Sequence, residues 1–302
     1  MTTYELYHDE SMENGYWHGM LLVPIEKKDK MLEALDKARN CTGYYEPISL
    51  KSVHKKNRIF SCANAWVHIG CGFLRSRSKN QSYPIRLGYE NGKPITLSLE
   101  NDEIGAKFIL FRERDNHQKM KGYPDSPSKI ETTIRFALKG GLHYLGSDEN
   151  SIHIEKMHFD GHKHYLRSLD KKRIVGRLNG LRNYCSISNR EDLIDDNSSN
   201  HNLKEDVQSY GDCQFLQLTD LLIGSFRTAL GVVTRDLHKK ISHFPKTLLA
   251  DYNKGYVRMR YSRWQNSFWV SECFLGDEGN WHFENINFLN LPKEEQLNLF
   301  EN

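Results

Sequence analysis

Apolar residues recur along this chain with two periods. Ile59, Phe60, Ala63, Trp66, Val67, Phe73 and Leu74 keep helical spacing over several turns, which predicts an amphipathic helix at 57–75. Segments 4–8 and 15–25 read instead as strands, with Asn14-Gly15 as the turn signal between them. A charged stretch with spaced Ala and Leu predicts a helix at 26–40. Segment 83–99 reads as a hairpin turning at Asn91-Gly92, and 107–112 as a strand. Segment 127–145 reads as a helix with Ser128 as N-cap and Glu131 three residues on. Then come a strand at 151–159, a basic helix at 169–184 and a short strand at 185–188. An acidic, Asn- and Ser-rich mobile loop is expected at 191–206, and helices at 213–234 and 235–253. Aromatic runs at 267–275 and 281–288 predict late strands.

A hairpin followed by alternating strands and helices implies an α/β fold, a mixed sheet flanked by helices. Carboxylates fall at strand ends, where such sheets bind ligands. Asp9-Glu10-Ser11 closes the first strand and Asp160-Gly161 closes a later one. Asp220 sits in an apolar helix, with Leu216 four residues before it and Ile223 three after. A carboxylate so placed needs a partner: a metal ion, a backbone cap, or a cation such as Arg227. Hard Mg²⁺ or Mn²⁺ takes oxygen ligands, and acids from several elements can hold it for phosphodiester cleavage.

Composition adds a partner class. The chain has 302 residues and a net charge of +3, enough for one decorated domain or two small ones. Its mean hydropathy of −0.68 argues against a membrane span, and the start Met1-Thr2-Thr3-Tyr4-Glu5 against a signal peptide. Six cysteines without a CxxC pair read as reduced, buried thiols, so a cytoplasmic location is expected. Charge is unevenly spread. No acid lies between Glu46 and Glu90, a window holding Lys51, Lys55, Lys56 and Arg58. A second acid-free window, 252–271, holds Arg258, Arg260 and Arg263 among aromatic residues. A solvated face explains any single charge run. Two such windows, interleaved with rings, favour nucleic acid as partner, with these residues holding phosphates.

Two of these motifs together resemble a known family. Asp9-Glu10-Ser11 and the run Leu216-Gln217-Leu218-Thr219-Asp220-Leu221-Leu222-Ile223-Gly224, with a strand ending in Asp160 between them, look like the bacterial and phage domain-of-unknown-function family 3800. The resemblance implies a ribonuclease-H-like mixed sheet over 3–231, with a helical insertion at about 41–105. A C-terminal extension (232–290) and a mobile tail (291–302) would follow. It implies Asp9, Glu10, Asp160 and Asp220 as metal ligands and catalytic groups. The family's Glu-Leu-Lys segment is matched here by Ser49-Leu50-Lys51, which keeps the Lys and loses the Glu; Glu46 or Glu131 are candidate replacements. Met12 stands where the family has Gly, and Thr219 where it has Ala.

Histidines cluster around Asp160, and His162 is the first candidate for protonating a leaving group. A zinc site there lacks supporting Cys or HExxH spacing. Near the chain's end, Gln296-Leu297-Asn298-Leu299-Phe300 resembles the peptide by which bacterial DNA-processing proteins dock on the sliding clamp. Gln296 would anchor by hydrogen bonds while Leu297, Leu299 and Phe300 fill an apolar pocket; a packed terminal element is the alternative. The leading expectation is a metal-dependent nuclease, DNA favoured, in anti-phage defence or at replication forks. A catalytically silent nucleic-acid- or clamp-binding module and a hydrolase of small phosphoesters are the alternatives.

Overall fold

The structure is a computed structural model that describes residues 1–74, 83–90, 93–99, 105–114, 126–148, 150–160, 171–177, 181, 183–190, 192–197, 210–232, 235–258 and 267–285. Strands β1 (Thr2–Ser11) and β2 (Tyr16–Pro24) form an antiparallel hairpin. At its tip Asn14 and Gly15 have φ of 55° and 116°, the positive values that the Asn-Gly pair supplies. A short 3-10 turn leads to helix α1 (Lys28–Thr42), and α2 (Arg58–Leu74) follows. Strands β3 (Tyr83–Glu90) and β4 (Lys93–Leu99) pair as a separate antiparallel ribbon. Then come β5 (Lys107–Glu113), α3 (Ser126–Leu145) and β6 (Ile152–Asp160). The chain continues through α4 (Lys171–Arg177), β7 (Cys185–Ile187), β8 (Ile194–Asn197) and α5 (Tyr210–Ala229). It closes with α6 (Asp236–Ile241), α7 (His243–Arg258), β9 (Phe268–Leu275) and β10 (Trp281–Asn285).

Eight strands make one mixed sheet, ordered β10-β9-β5-β2-β1-β6-β7, with β8 also pairing β6. β2 and β5 extend the hairpin antiparallel, whereas β6 runs parallel to β1 and β7 and β8 run parallel to β6. Every residue of β2 is buried, because helices cover the sheet on both sides. On one face α1, α2 and α5 pack through Leu35, Trp66 and Leu218 onto Tyr7, Trp17 and Leu21. On the other, α3 packs through Ile134 and Leu138 onto Leu6, Met20 and Ile109. Strand alternation therefore sends odd residues of β1 to one helical layer and even ones to the other.

Several sequence expectations need correction. β1 runs on through Asp9 and Glu10 instead of stopping before them. Ser128 lies buried inside the first turn of α3, not at a cap. The basic helix is shorter than expected, since Tyr184 already lies in the turn before β7. Part of the expected 191–206 loop is β8, because buried Leu193 and Ile194 give that acidic segment an apolar anchor beside β6. The helix expected at 235–253 is broken at Ser242, where Pro245 suits the first turn of a new helix. All six cysteines are reduced thiols, five of them buried. Among the described residues no helix is long and apolar enough to cross a membrane.

Candidate metal centre

β1 and β6 lie side by side in parallel up to His8 opposite Phe159, so the next residues, Asp9 within β1 and Asp160 at the end of β6, follow next to one another. Asp9 belongs with Tyr7 and Glu5 to the face covered by α5, and it is buried. α5 approaches that face at Gly19 of β2, where an added Cβ would come 2.2 Å from Ile223 Cγ1. This close approach sets the depth at which Asp220, one turn before Ile223, meets the strand ends.

Asp220 is also held from the side. Buried Arg39 of α1 donates to Gln214 Oε1 (2.7 Å) and Gln217 Oε1 (2.8 Å) of α5, and to the carbonyls of Tyr44 (3.1 Å) and Glu46 (2.9 Å). Gln217 Oε1 further accepts from the Ile48 N–H at 3.0 Å. The segment after α1 is thereby pinned along α5, and its Leu50 N–H donates to Asp220 Oδ2 at 3.1 Å. Ser49-Leu50-Lys51, picked out by the family resemblance, thus sits at the carboxylates, with the Lys51 charge acting on Asp220.

The charges of Asp160 and Asp220 act on Asp9, and that of Asp160 acts on Asp220. Burial raises the Asp9 carboxyl well above the usual range, and Asp220, Asp160 and Glu10 push it further in the same direction, against a hydrogen bond from the Glu10 N–H. Burial also raises Asp220, as does Asp160, while the Leu50 N–H, Lys51 and Arg227 pull it down without cancelling the rise. The ionised forms of Asp9 and Asp220 are thus disfavoured, and a bound cation would restore them. All their donors are oxygens, the ligands that Mg²⁺ and Mn²⁺ take. This donor chemistry suits a hard divalent ion, although the three carboxylates do not close to within 4.8 Å of one another as Glu5, His158 and Asp212 do.

Glu10 belongs to the other face of β1, where its Oε2 accepts from the Tyr16 hydroxyl. Beneath it lies a buried chain of polar groups: His8 Nε2 to His18 Nδ1 at 2.9 Å, and His18 Nε2 to Thr133 Oγ1 at 2.7 Å. Thr133 donates its own proton to a carbonyl of α3, that of Lys129 (2.9 Å) or Ile130 (3.1 Å), so it accepts from His18. His18 in turn accepts from His8, which fixes both tautomers. Burial lowers His8 to about 3; burial, then His8 and Lys129, hold His18 well below the ordinary value. Of the two candidate replacement acids, Glu46 is exposed and Glu131 is buried on α3, in the layer opposite Asp220.

No protein-family model, curated protein or solved structure matches the chain, so the chemistry of the site is carried by its own residues.

Sequence reasoning missed a second polar cluster, on the same face of β1 as Asp9. Glu5, His158 and Asp212 have ligand atoms within 4.8 Å of one another. Glu5 lies roughly 13 Å along the strand from Asp9 at the usual rise per residue. Here the charge is already met. Lys28 Nζ reaches Glu5 at 2.5 Å and Asp212 at 2.8 Å, and the Tyr7 hydroxyl reaches both at 2.6 and 2.8 Å. Burial would raise Glu5, but hydrogen bonds from His158, Lys28 and Tyr7 outweigh it and hold the carboxyl far below its usual range. The His158 ring stacks on Tyr7 at 4.7 Å. An ammonium already fills this cluster, so it reads as an internal brace joining β1, β6, α1 and α5. Its partners are far apart in sequence, and no local motif announces them.

Of the expected phosphate-binding residues, Lys51 lies at the carboxylates, whereas Lys55, Lys56 and Arg58 are exposed on the segment leading into α2. Lys56 faces Lys240 of α6, whose ammonium it pushes below its usual value. His162, Arg260, Arg263 and the tail residues Gln296, Leu297, Leu299 and Phe300 lie outside the described residues, and Arg258 ends α7.

Proposed function

We propose that the chain is a divalent-cation-dependent phosphodiester hydrolase acting on nucleic acid, built on a ribonuclease-H-like sheet. The observation that carries this reading is the placement of Asp9 and Asp160 side by side where the parallel pairing of β1 and β6 ends, with the charges of Asp160 and of Asp220 on the covering helix both acting on buried Asp9. The antiparallel β5-β2-β1 unit, continued by parallel β6 and β7, supports the fold part of the reading.

Asp9, Asp160 and Asp220 would hold Mg²⁺ or Mn²⁺. When bound, such an ion supplies Lewis-acid chemistry, stabilising charge on phosphoryl oxygens and easing loss of a proton from the attacking water. The chain's own groups do the rest. The Leu50 N–H fixes one oxygen of Asp220 and so orients its carboxylate. Lys51, next along, meets phosphate charge beside it. Glu10, held by Tyr16 on the opposite face of β1, is not placed to take the water's proton, which passes to solvent. Attack by water at phosphorus breaks the bond to the leaving ester oxygen and yields a phosphate monoester and an alcohol.

The test is cleavage of labelled single-stranded DNA, duplex DNA and RNA with Mg²⁺, Mn²⁺ or EDTA, beside Asp160→Asn. The expected result is cleavage that requires metal and falls at least about 100-fold in the variant. Cleavage in EDTA or equal cleavage by the variant would overturn the reading of these residues as a metal-dependent centre, and none on any polymer would overturn it in favour of a binding module.

A further inference from the structure

A cavity of about 570 Å³ opens beside Asp220, between the tip of the β1–β2 hairpin, the Leu50–His54 segment, α5 and α6. Its walls gather five basic side chains. Arg227 of α5 and His238 of α6 are both buried there, at 3 % and 4 % exposure. Lys51, His54 and Arg235 stand exposed around them. These five side chains come from three stretches of sequence, Lys51 and His54, Arg227, and Arg235 and His238, so no single basic run accounts for them. The acids present are Asp220 itself and Glu13, which pairs with Arg227 at 3.2 Å.

The two buried groups are positioned by the surrounding structure. Arg227 donates to Ser11 Oγ (2.6 Å) and the Glu13 carbonyl (2.6 Å), which ties it to the strand carrying Asp9. His238 is braced by the Val53 backbone, leaving Nε2 without a hydrogen-bond partner among the described residues. Lys51, Arg235 and Arg227, the last partly offset by Glu13, give the cavity a positive potential, while His238, whose proton affinity burial lowers, presents its unpartnered Nε2. That potential lies directly against the carboxylates, whose own field is negative. A ligand suited to both must span from a cation-binding centre to an anion-binding one. A nucleic-acid strand does so, with one phosphate at the carboxylates and another beyond it.

Resting on the proposed hydrolase reading, we infer that this cavity binds a phosphate group of the substrate strand, next to the one being cleaved. Lys51, His54 and Arg235 contact its oxygens, while Arg227 and His238 form the fixed floor. The phosphate is either internal or terminal, and the chemistry is shared by both.

The experiment uses full-length protein in EDTA, where no cleavage is needed. Inorganic phosphate is titrated while the ring ¹⁵N signals of His54 and His238 are followed, with chloride as the control for ionic strength. Saturable shifts in both rings, abolished by Arg235→Ala, are expected. In parallel, fluorescence anisotropy measures a short oligonucleotide with a 5′-phosphate, a 3′-phosphate or neither. Lys51→Ala and Arg235→Ala should each weaken binding about 5-fold and lower the salt slope by about one. Tighter binding of an end-phosphorylated strand, lost in Arg235→Ala, assigns the pocket to a terminal phosphate. Equal binding of all three strands, equally weakened, assigns it to an internal one. No saturable ring shifts, or oligonucleotide affinity unchanged in both variants, would overturn the inference. Phosphate binding by a protein that cleaves none of the labelled polymers would instead overturn the hydrolase reading and leave the anion site standing.

Discussion

At the scale of single residues, the sheet separates two kinds of buried polar group. Asp9 is buried among like charges, so its ionised form is disfavoured until a cation joins it. Asp9→Asn should therefore raise the Tm of the metal-free protein at pH 7.5 by a few degrees. It should also erase the stabilisation that Mn²⁺ gives the wild type. Differential scanning fluorimetry with and without EDTA reads both effects, and a lower Tm in EDTA would contradict this account. His8 and His18, one strand face away, are buried neutral. Below about pH 6.5 the unfolded chain takes up protons on these rings that the folded chain refuses, down to about 3 for His8. Stability consequently falls as pH falls through that window, by about 1.4 kcal/mol per pH unit for each ring. His8→Gln removes one ring, so its urea-unfolding free energy should decline less steeply between pH 6 and 4. Parallel slopes would refute the assignment.

At the scale of elements, the site depends on how closely α5 sits on β2. Gly19 leaves Ile223 room that a methyl group would take. Gly19→Ala should cost about 1–3 kcal/mol and lift Asp220 from the strand ends. Its metal affinity should drop even where the variant stays folded at 25 °C. Isothermal titration with Mn²⁺ checks this; wild-type affinity would show that α5 has slack. The same logic explains why Asp220 was legible as special in the sequence while its partner was not. A carboxylate in an apolar helix advertises its need locally. The answer, the Leu50 N–H, comes from 170 residues away and depends on Arg39 bridging α1 to Gln214 and Gln217. Nothing in the spacing of those residues links them.

For the whole molecule, the exposed Lys55, Lys56 and Arg58 are the described part of the expected basic windows, and the C-terminal peptide lies outside the described residues. If the tail docks on a sliding clamp, the full chain should bind purified bacterial clamp. Leu299→Ala/Phe300→Ala should weaken that binding at least about 10-fold, because such anchors dominate peptide interfaces. Surface plasmon resonance with immobilised clamp is the check, and equal binding by the double variant would end the proposal. The C-terminal segment also has a structural part in the fold. β9 pairs in parallel with β5, so the main sheet is completed by residues far from its start.

By itself the sequence determined the periodic elements. The hairpin with its Asn-Gly turn, the apolar helices and the strand closed by Asp160 follow from local spacing and turn chemistry, which depend only on neighbours along the chain. It also marked Asp9, Asp160 and Asp220 as acids set against apolar runs. Only the tertiary structure decided that the charges of Asp160 and Asp220 act on Asp9, that Glu10 turns to the opposite face, and that Lys28 fills the Glu5–Asp212 cluster. Strand 194–197 likewise became a strand only because β6 offered it an edge. The physical reason is common to all four. Charge repulsion, ion pairing and ladder hydrogen bonds act over a few ångströms of space, whatever the separation in sequence, and the packing of α5 and β6 on β1 sets those distances.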